Sequence, residues 1–131
     1  MGSFADYWEN KILDHLFGKG SYTAPTIYVG LSTADPTDDS SGLSEPSGGS
    51  YARVSTVPGD WNVASGGATG NANDITFPEA TGNWGTIIHF ALFDAESAGD
   101  MLAHGTLSVS KTISSGDTVK FSAGDLDVTL D

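Results

Sequence analysis

The spacing of apolar residues changes once along this chain, at Gly18. Before it, Phe4, Trp8, Ile12 and Leu16 recur every four residues, with Ala5, Leu13 and Phe17 beside that stripe. This period predicts an amphipathic helix over Phe4–Phe17. Ser3 is the expected N-cap, Asp6 sits near the positive end of the helix dipole, and Gly18 is the expected C-cap. Beyond Gly18 the period falls to two. Thr26–Ser32 sets Ile27, Val29 and Leu31 against Tyr28, Gly30 and Ser32, which predicts a strand. Tyr51–Val57 and the short Asp74–Phe77 read the same way, each closed by a proline.

The segment Trp84–Gly105 predicts a hairpin. Its strands are Thr86–Asp94 and Asp100–Leu107, joined through Gly99. The first is apolar on both faces, with Ile88, Phe90 and Leu92 opposed to Ile87, Ala91 and Phe93. Such a strand lies in mid-sheet, covered on both sides. Ser108–Ile113, Thr118–Ser122 and Asp125–Leu130 follow as short strands separated by Gly-containing turns. Two stretches have no period: the acidic run 34–50 and the glycine-rich run Ala64–Asn73. Both are expected to be loops, and an unstructured loop as long as the first is usually functional or mobile. One helix and about eight or nine short strands, with no alternation of the two, predict an all-β fold. The expected form is an antiparallel β-sandwich or jelly roll with one N-terminal amphipathic helix. It is read as one domain over 1–131, with a helical arm at 1–20 and the acidic loop at 34–50.

Composition narrows the functions. Seventeen acidic residues face five basic ones, for a net charge of −12. The five cations (Lys11, Lys19, Arg53, Lys111 and Lys120) are scattered, which argues against nucleic acid or an anionic membrane as partner. There is no cysteine, so neither disulfides nor a thiolate metal site can form. No run approaches the roughly 18 to 20 apolar residues of a membrane-spanning helix. The acidic start, MGSFADYWENK, is not expected to act as an export signal.

Candidate chemistry is sparse. If Phe93 pairs with Met101, His104 faces Phe90 and His89 faces Gly105, so the two imidazoles point to opposite faces and cannot share a metal. With His15 on the polar flank of the helix, all three histidines read as structural. No Gly-x-Ser-x-Gly elbow occurs. GKGS at Gly18–Ser21 lacks the first glycine and the preceding strand of a phosphate loop. Asp35, Asp38, Asp39 and Glu45 are hard-oxygen donors in one loop, but their spacing does not fit an EF-hand, and no cofactor is expected. Nothing selects two of the seventeen acids as a glycosidase pair. Tyr51, Trp61 and Trp84 either form a sugar-stacking surface or rim the core.

The stretches APTIYVGLSTADPTDD, GLSEP, SYARVS, DITFPEATGNWGTIIHFALFDAESAGDMLAHGTL and SGDTVKFSAGDLDVTLD, behind the FADYWENKILDHLFG helix, closely resemble a group of small tailed-bacteriophage virion structural proteins. Proteins of this group are commonly labelled tail-fibre or structural proteins. The likeness covers nearly the whole chain. It implies a non-enzymatic rigid β module, made in the host bacterial cytoplasm and located in the virion, with an arm or loop that locks onto neighbours. Phe4, Trp8, Ile12 and Leu16 of the helix, with Asp35, Asp38 and Asp39 of the loop, are the expected contacts. Partners are the major capsid protein or other virion proteins, and further copies in a dimer or trimer. With no shaft or repeat, a capsid decoration (cement) protein that bridges major capsid proteins is the first expectation. A tail fibre or tail-tip component, with a glycan-binding role in adsorption, is the alternative.

Overall fold

The computed structural model describes residues 2–130; residues 1 and 131, the ends of the expected domain, lie outside the described residues. Nine strands and one α-helix follow one another as β1 (Gly2–Phe4), α1 (Asp6–Leu16), β2 (Tyr28–Ser32), β3 (Val54–Ser55), β4 (Ala68–Gly70), β5 (Ile75–Thr76), β6 (Gly85–Phe93), β7 (Met101–Ile113), β8 (Lys120–Phe121) and β9 (Asp127–Thr129). A 3₁₀ turn, Pro58–Asp60, follows β3. The protein is all-β with a single N-terminal helix, as the periodicity predicts. One sheet has seven strands in the order β3-β2-β6-β7-β1-β9-β4, and β5 pairs with β8 in a second.

The large sheet curls. Val29 and Leu31 of β2 and Val128 of β9 lie four strands apart, yet share one buried cluster with Phe90 and Leu92 of β6. A flat sheet would hold them near 19 Å apart, at about 4.8 Å per strand. Ile75, Phe77 and Phe121, on and beside the small sheet, close the inside of the curl. A second cluster lies on the outer face, where Ala91, Phe93 and Met101 pack with Ala5 and are flanked by Tyr28 and Leu43. The strand with two apolar faces is therefore covered on both, by the core on one side and by the helix start and acidic loop on the other.

Several local expectations shift. Phe4 belongs to β1 and not to the helix, and the N-cap is Ala5 with no side-chain cap bond. Ser3 is drawn into the sheet by pairing with both β7 and β9. The reason lies in two glycines. Gly2 pairs with Gly105, and a Cβ on Gly105 would stand 2.6 Å from Phe90 and 2.7 Å from the Gly2 Cα. Only bare backbone lets these strands approach under the Phe90 ring. The helix ends at Leu16 with Phe17 as its C-cap, one residue before the expected Gly18, which follows in the left-handed conformation with φ of 72°. The glycine-rich run 64–73 contains a strand, β4, paired to β9. The two expected strands Asp100–Leu107 and Ser108–Ile113 form one continuous β7.

Candidate functional site

The acidic loop 34–50 is folded tightly on itself and strapped across the outer face. Thr37 donates its hydroxyl to Asp39 Oδ1 at 2.7 Å, and the Ser41 N–H donates to the same oxygen at 3.0 Å. With the hydroxyl and backbone of these neighbours stabilising the anion, the Asp39 carboxyl is held down to about 2. Asp35 accepts the Thr37 N–H at 3.0 Å. The loop also serves the helix. The Asp38 carbonyl accepts the Asp6 N–H at 3.0 Å, which satisfies one of the free donors that no cap side chain reaches.

The histidines are placed differently from the expectation. Phe93 does pair with Met101, but Leu92 pairs with Ala103, so Leu102 is an extra residue in β7. That bulge moves the register by one. His104 then faces Ala91 and His89 faces Thr106, and both imidazoles lie on one face with ring centres 6.5 Å apart. Asp38 Oδ1 is 2.8 Å from His104 Nε2. Asp35 Oδ1 is 3.8 Å from His89 Nε2, which also meets the Thr106 hydroxyl at 3.1 Å. Loop and hairpin are thus joined by two His–Asp contacts. His89 Nδ1 is buried with no partner. Protonating it would bury an unsatisfied N–H, and burial accordingly pulls the His89 pKa below its usual range. Proximity to His104 adds to this and Asp35 opposes it. Among the described residues, no three His, Asp or Glu side chains converge to hold a metal ion.

The other end of the loop is anchored by Arg53. Its guanidinium forks onto Glu45, with Nε at 3.0 Å from Oε2, and Nη1 donates to the Ala95 and Ala98 carbonyls at 2.9 Å each. It lies 3.5 Å from the centre of the Phe93 ring. Glu45 also accepts the Tyr51 hydroxyl at 2.7 Å, while that hydroxyl accepts the Leu31 N–H at 3.0 Å. Burial pushes the Tyr51 phenol well above its usual range.

The three rings considered for sugar stacking do not form a surface. Trp84 is only 3% exposed; it donates Nε1–H to the Gly49 carbonyl at 2.8 Å and meets Tyr51 edge-on at 5.3 Å. Trp61 is half-buried, with its N–H on Thr56 Oγ1 at 2.9 Å. Enclosed in this way, Trp84 has no free face for a sugar, while Tyr51 and Trp61 are half-buried and pack against the core.

Helix α1 is the open part of the molecule. Phe4, before it, packs against the core. Trp8 and Ile12 are half-buried and line an apolar groove of about 390 Å³ with Leu16, Tyr22 and Ala24. Leu16 is 71% and Phe17 69% exposed, and Leu13 is exposed as well. Lys11 lies over the Tyr22 ring at 4.3 Å. Among the described residues, no helix is long and apolar enough to cross a membrane.

With this geometry in view, comparison with known families gives a match over residues 3–129 to the family described as Podophage GP4 fiber I protein gp80. No curated protein matches the chain.

Proposed function

The chain belongs to the Podophage GP4 fiber I protein gp80 family and is a phage virion structural protein; on that premise we propose that it is a non-enzymatic component of the tail fibre that binds its neighbours through α1. The observation that carries this reading is the C-terminal half of α1. Leu13, Leu16 and Phe17 present apolar surface to solvent on a chain of net charge −12. Surface of that kind marks an attachment site more often than an idle face. The acidic loop contributes Asp35, Asp38 and Asp39, all exposed beside the helix start. They lie at the opposite end of α1 from Leu13, Leu16 and Phe17, and their carboxylates disfavour partners that bring acidic surface to that end. The partners are other virion proteins and further copies of this chain, in a dimer or trimer.

The fibre description favours the tail over the capsid-decorating role that an isolated β module suggests by itself. A glycan-binding role receives no support from Tyr51, Trp61 and Trp84, which serve the core. No residue is assigned a catalytic part. Of the groups with displaced ionisation, Asp60, held low, accepts the Val57 N–H, Asp39 and Tyr51 hold the bonds described above, and His89 meets Thr106 through Nε2 while its Nδ1 is buried without a partner.

The test is a Leu16→Glu/Phe17→Glu variant made during phage growth. Both positions are exposed, so circular dichroism and melting should match wild type. The variant should nevertheless be missing from purified particles. Incorporation at the wild-type level would remove α1 from the contact.

A further inference from the structure

The groove along α1 gathers cations as well as apolar side chains. Trp8, Ile12 and Leu16 form one ridge at a spacing of four, with Leu13 and Phe17 beside it. That ridge is about 12 Å long at 1.5 Å per residue, a surface that the grooves of a second helix fit. Residues 10–33 hold Lys11, Lys19 and a single carboxylate, Asp14, in a chain of seventeen acids and five bases. Asp14 already accepts the Tyr22 hydroxyl at 3.5 Å. Elsewhere, Arg53 is committed to Glu45 and Lys120 lies 3.8 Å from Asp74. Among the described residues, Lys11, Lys19 and Lys111 have no carboxylate at ion-pair distance. Two of these three stand on α1 or in the turn after it. Lys11 and His15 line the groove, with the Lys11 ammonium 4.3 Å from the centre of the Tyr22 ring and 5.2 Å from that of Tyr7.

We infer that α1 takes an acidic amphipathic helix of another virion protein, its apolar stripe laid along Trp8, Ile12 and Leu16 and its carboxylates facing Lys11 and Lys19. The inference rests on α1 being the attachment face and adds what attaches there. Backbone chemistry selects a helix. The groove is walled by side chains, and an extended segment laid on them would leave its N–H and C=O groups unpaired away from water, whereas a helix bonds its own. Charge selects the acids. Cations without carboxylates beside an apolar contact are met by carboxylates on the partner, which also fix its direction. Asp6, Asp38 and Asp39 gather at the other end of α1 and turn the partner's acids away from it. The one helix that a second copy could offer, among the described residues, is α1 itself, which brings the same Lys11 to the contact.

Two measurements in phage particles test this. Incorporation of Lys11→Glu/Lys19→Glu should fall by roughly tenfold or more, because like charges are then set together across the contact. Lys11→Arg/Lys19→Arg and Lys111→Glu should enter particles near the wild-type level, and all three should melt as wild type does. Lys19→Glu alone, at an exposed site beyond the helix, reads the charge if the double variant melts early. Normal incorporation of the charge-reversed protein, with Leu16→Glu/Phe17→Glu still absent from particles, would overturn the acidic partner and leave α1 as the attachment face. Normal incorporation of both would overturn both. The second measurement replaces Phe17, 69% exposed, with photoreactive benzoylphenylalanine and reads the crosslinked segment by mass spectrometry. That segment should belong to another virion protein, with apolar residues three or four apart and Asp or Glu beside them. A basic or aperiodic segment, or a second copy of this chain, would overturn the choice of occupant. Particles that contain the chain but give no crosslink would overturn the attachment face as well.

Discussion

Replacing Arg53 with methionine tests the largest polar anchor in the fold. The Arg53 side chain is 5% exposed and its partner Glu45 20%. The substitution keeps the volume and the packing against Phe93 but removes the fork on Glu45 and the donor to Ala95 and Ala98. Glu45 would keep only the Tyr51 hydroxyl as a charge-stabilising donor. Breaking a buried ion pair from one side costs about 3–5 kcal/mol, because the remaining charge is stranded. The two carbonyls belong to a turn that water can reach, so they add little. At about 2.1 cal/mol/K of unfolding entropy per residue, a chain of 131 residues loses roughly 3–4 °C per kcal/mol. The expected fall in Tm is therefore about 10–20 °C, read by circular dichroism together with Trp fluorescence. Arg53→Met/Glu45→Gln should recover a large part of the loss, since the stranded charge is gone. An Arg53→Met protein within about 1 kcal/mol of wild type, or a double variant weaker than the single, would refute the reasoning.

Gly105→Ala should cost about 1–3 kcal/mol, because the added methyl meets Phe90 and the Gly2 backbone in a packed core; chemical denaturation reads it, and a neutral result would mean that β1 yields easily. Trp84→Ala should destabilise by about 3–5 kcal/mol, whereas a sugar-stacking residue at the surface would leave the denaturation midpoint unchanged. His89 is held neutral in the fold, so the unfolded chain takes up its proton first on acidification. Stability should fall as the pH drops below the ordinary histidine value of about 6.5, and the loss should be complete once the lowered folded pKa is passed. His89→Gln should flatten that fall relative to wild type in melts between pH 7.5 and 5.5, with the His104–Asp38 contact present in both proteins; equal slopes would contradict the assignment.

Period and polarity made the long elements legible. The double-faced strand at Gly85–Phe93 was readable because it buries a regular set of side chains, and the helix stripe because its period of four is regular, although none of the α1 residues is fully buried. The long loop was readable because nothing in it could be buried regularly. Features set by single residues were not. One extra residue, Leu102, turned His104 to the face that His89 occupies, and a bulge leaves no trace in alternation. Strand β1 is three residues long and its pattern is shared by the helix start; only the Gly2–Gly105 approach, a contact across the chain, decides between them. β4 was hidden in a glycine-rich run because its pairing with β9 works through backbone. Of the expected contact residues, Leu16 is exposed, Trp8 and Ile12 are half-buried, and Phe4 is committed to the sheet. Asp35 and Asp38 were chosen for their charge, but their pairing with the two histidines needed the bulge to be known. Arg53 gave no sign of its role: Glu45 is only eight residues away, but nothing in the pattern singles it out among the acids, and the Ala95 and Ala98 carbonyls are more than forty residues away.

The most direct test of the account is the location of this chain within an intact particle, by electron microscopy with the chain tagged or its density assigned. The account predicts density confined to the tail, in a small number of copies set by tail symmetry, with α1 facing another virion protein. Density spread over the capsid lattice, or particles without the chain, would contradict it.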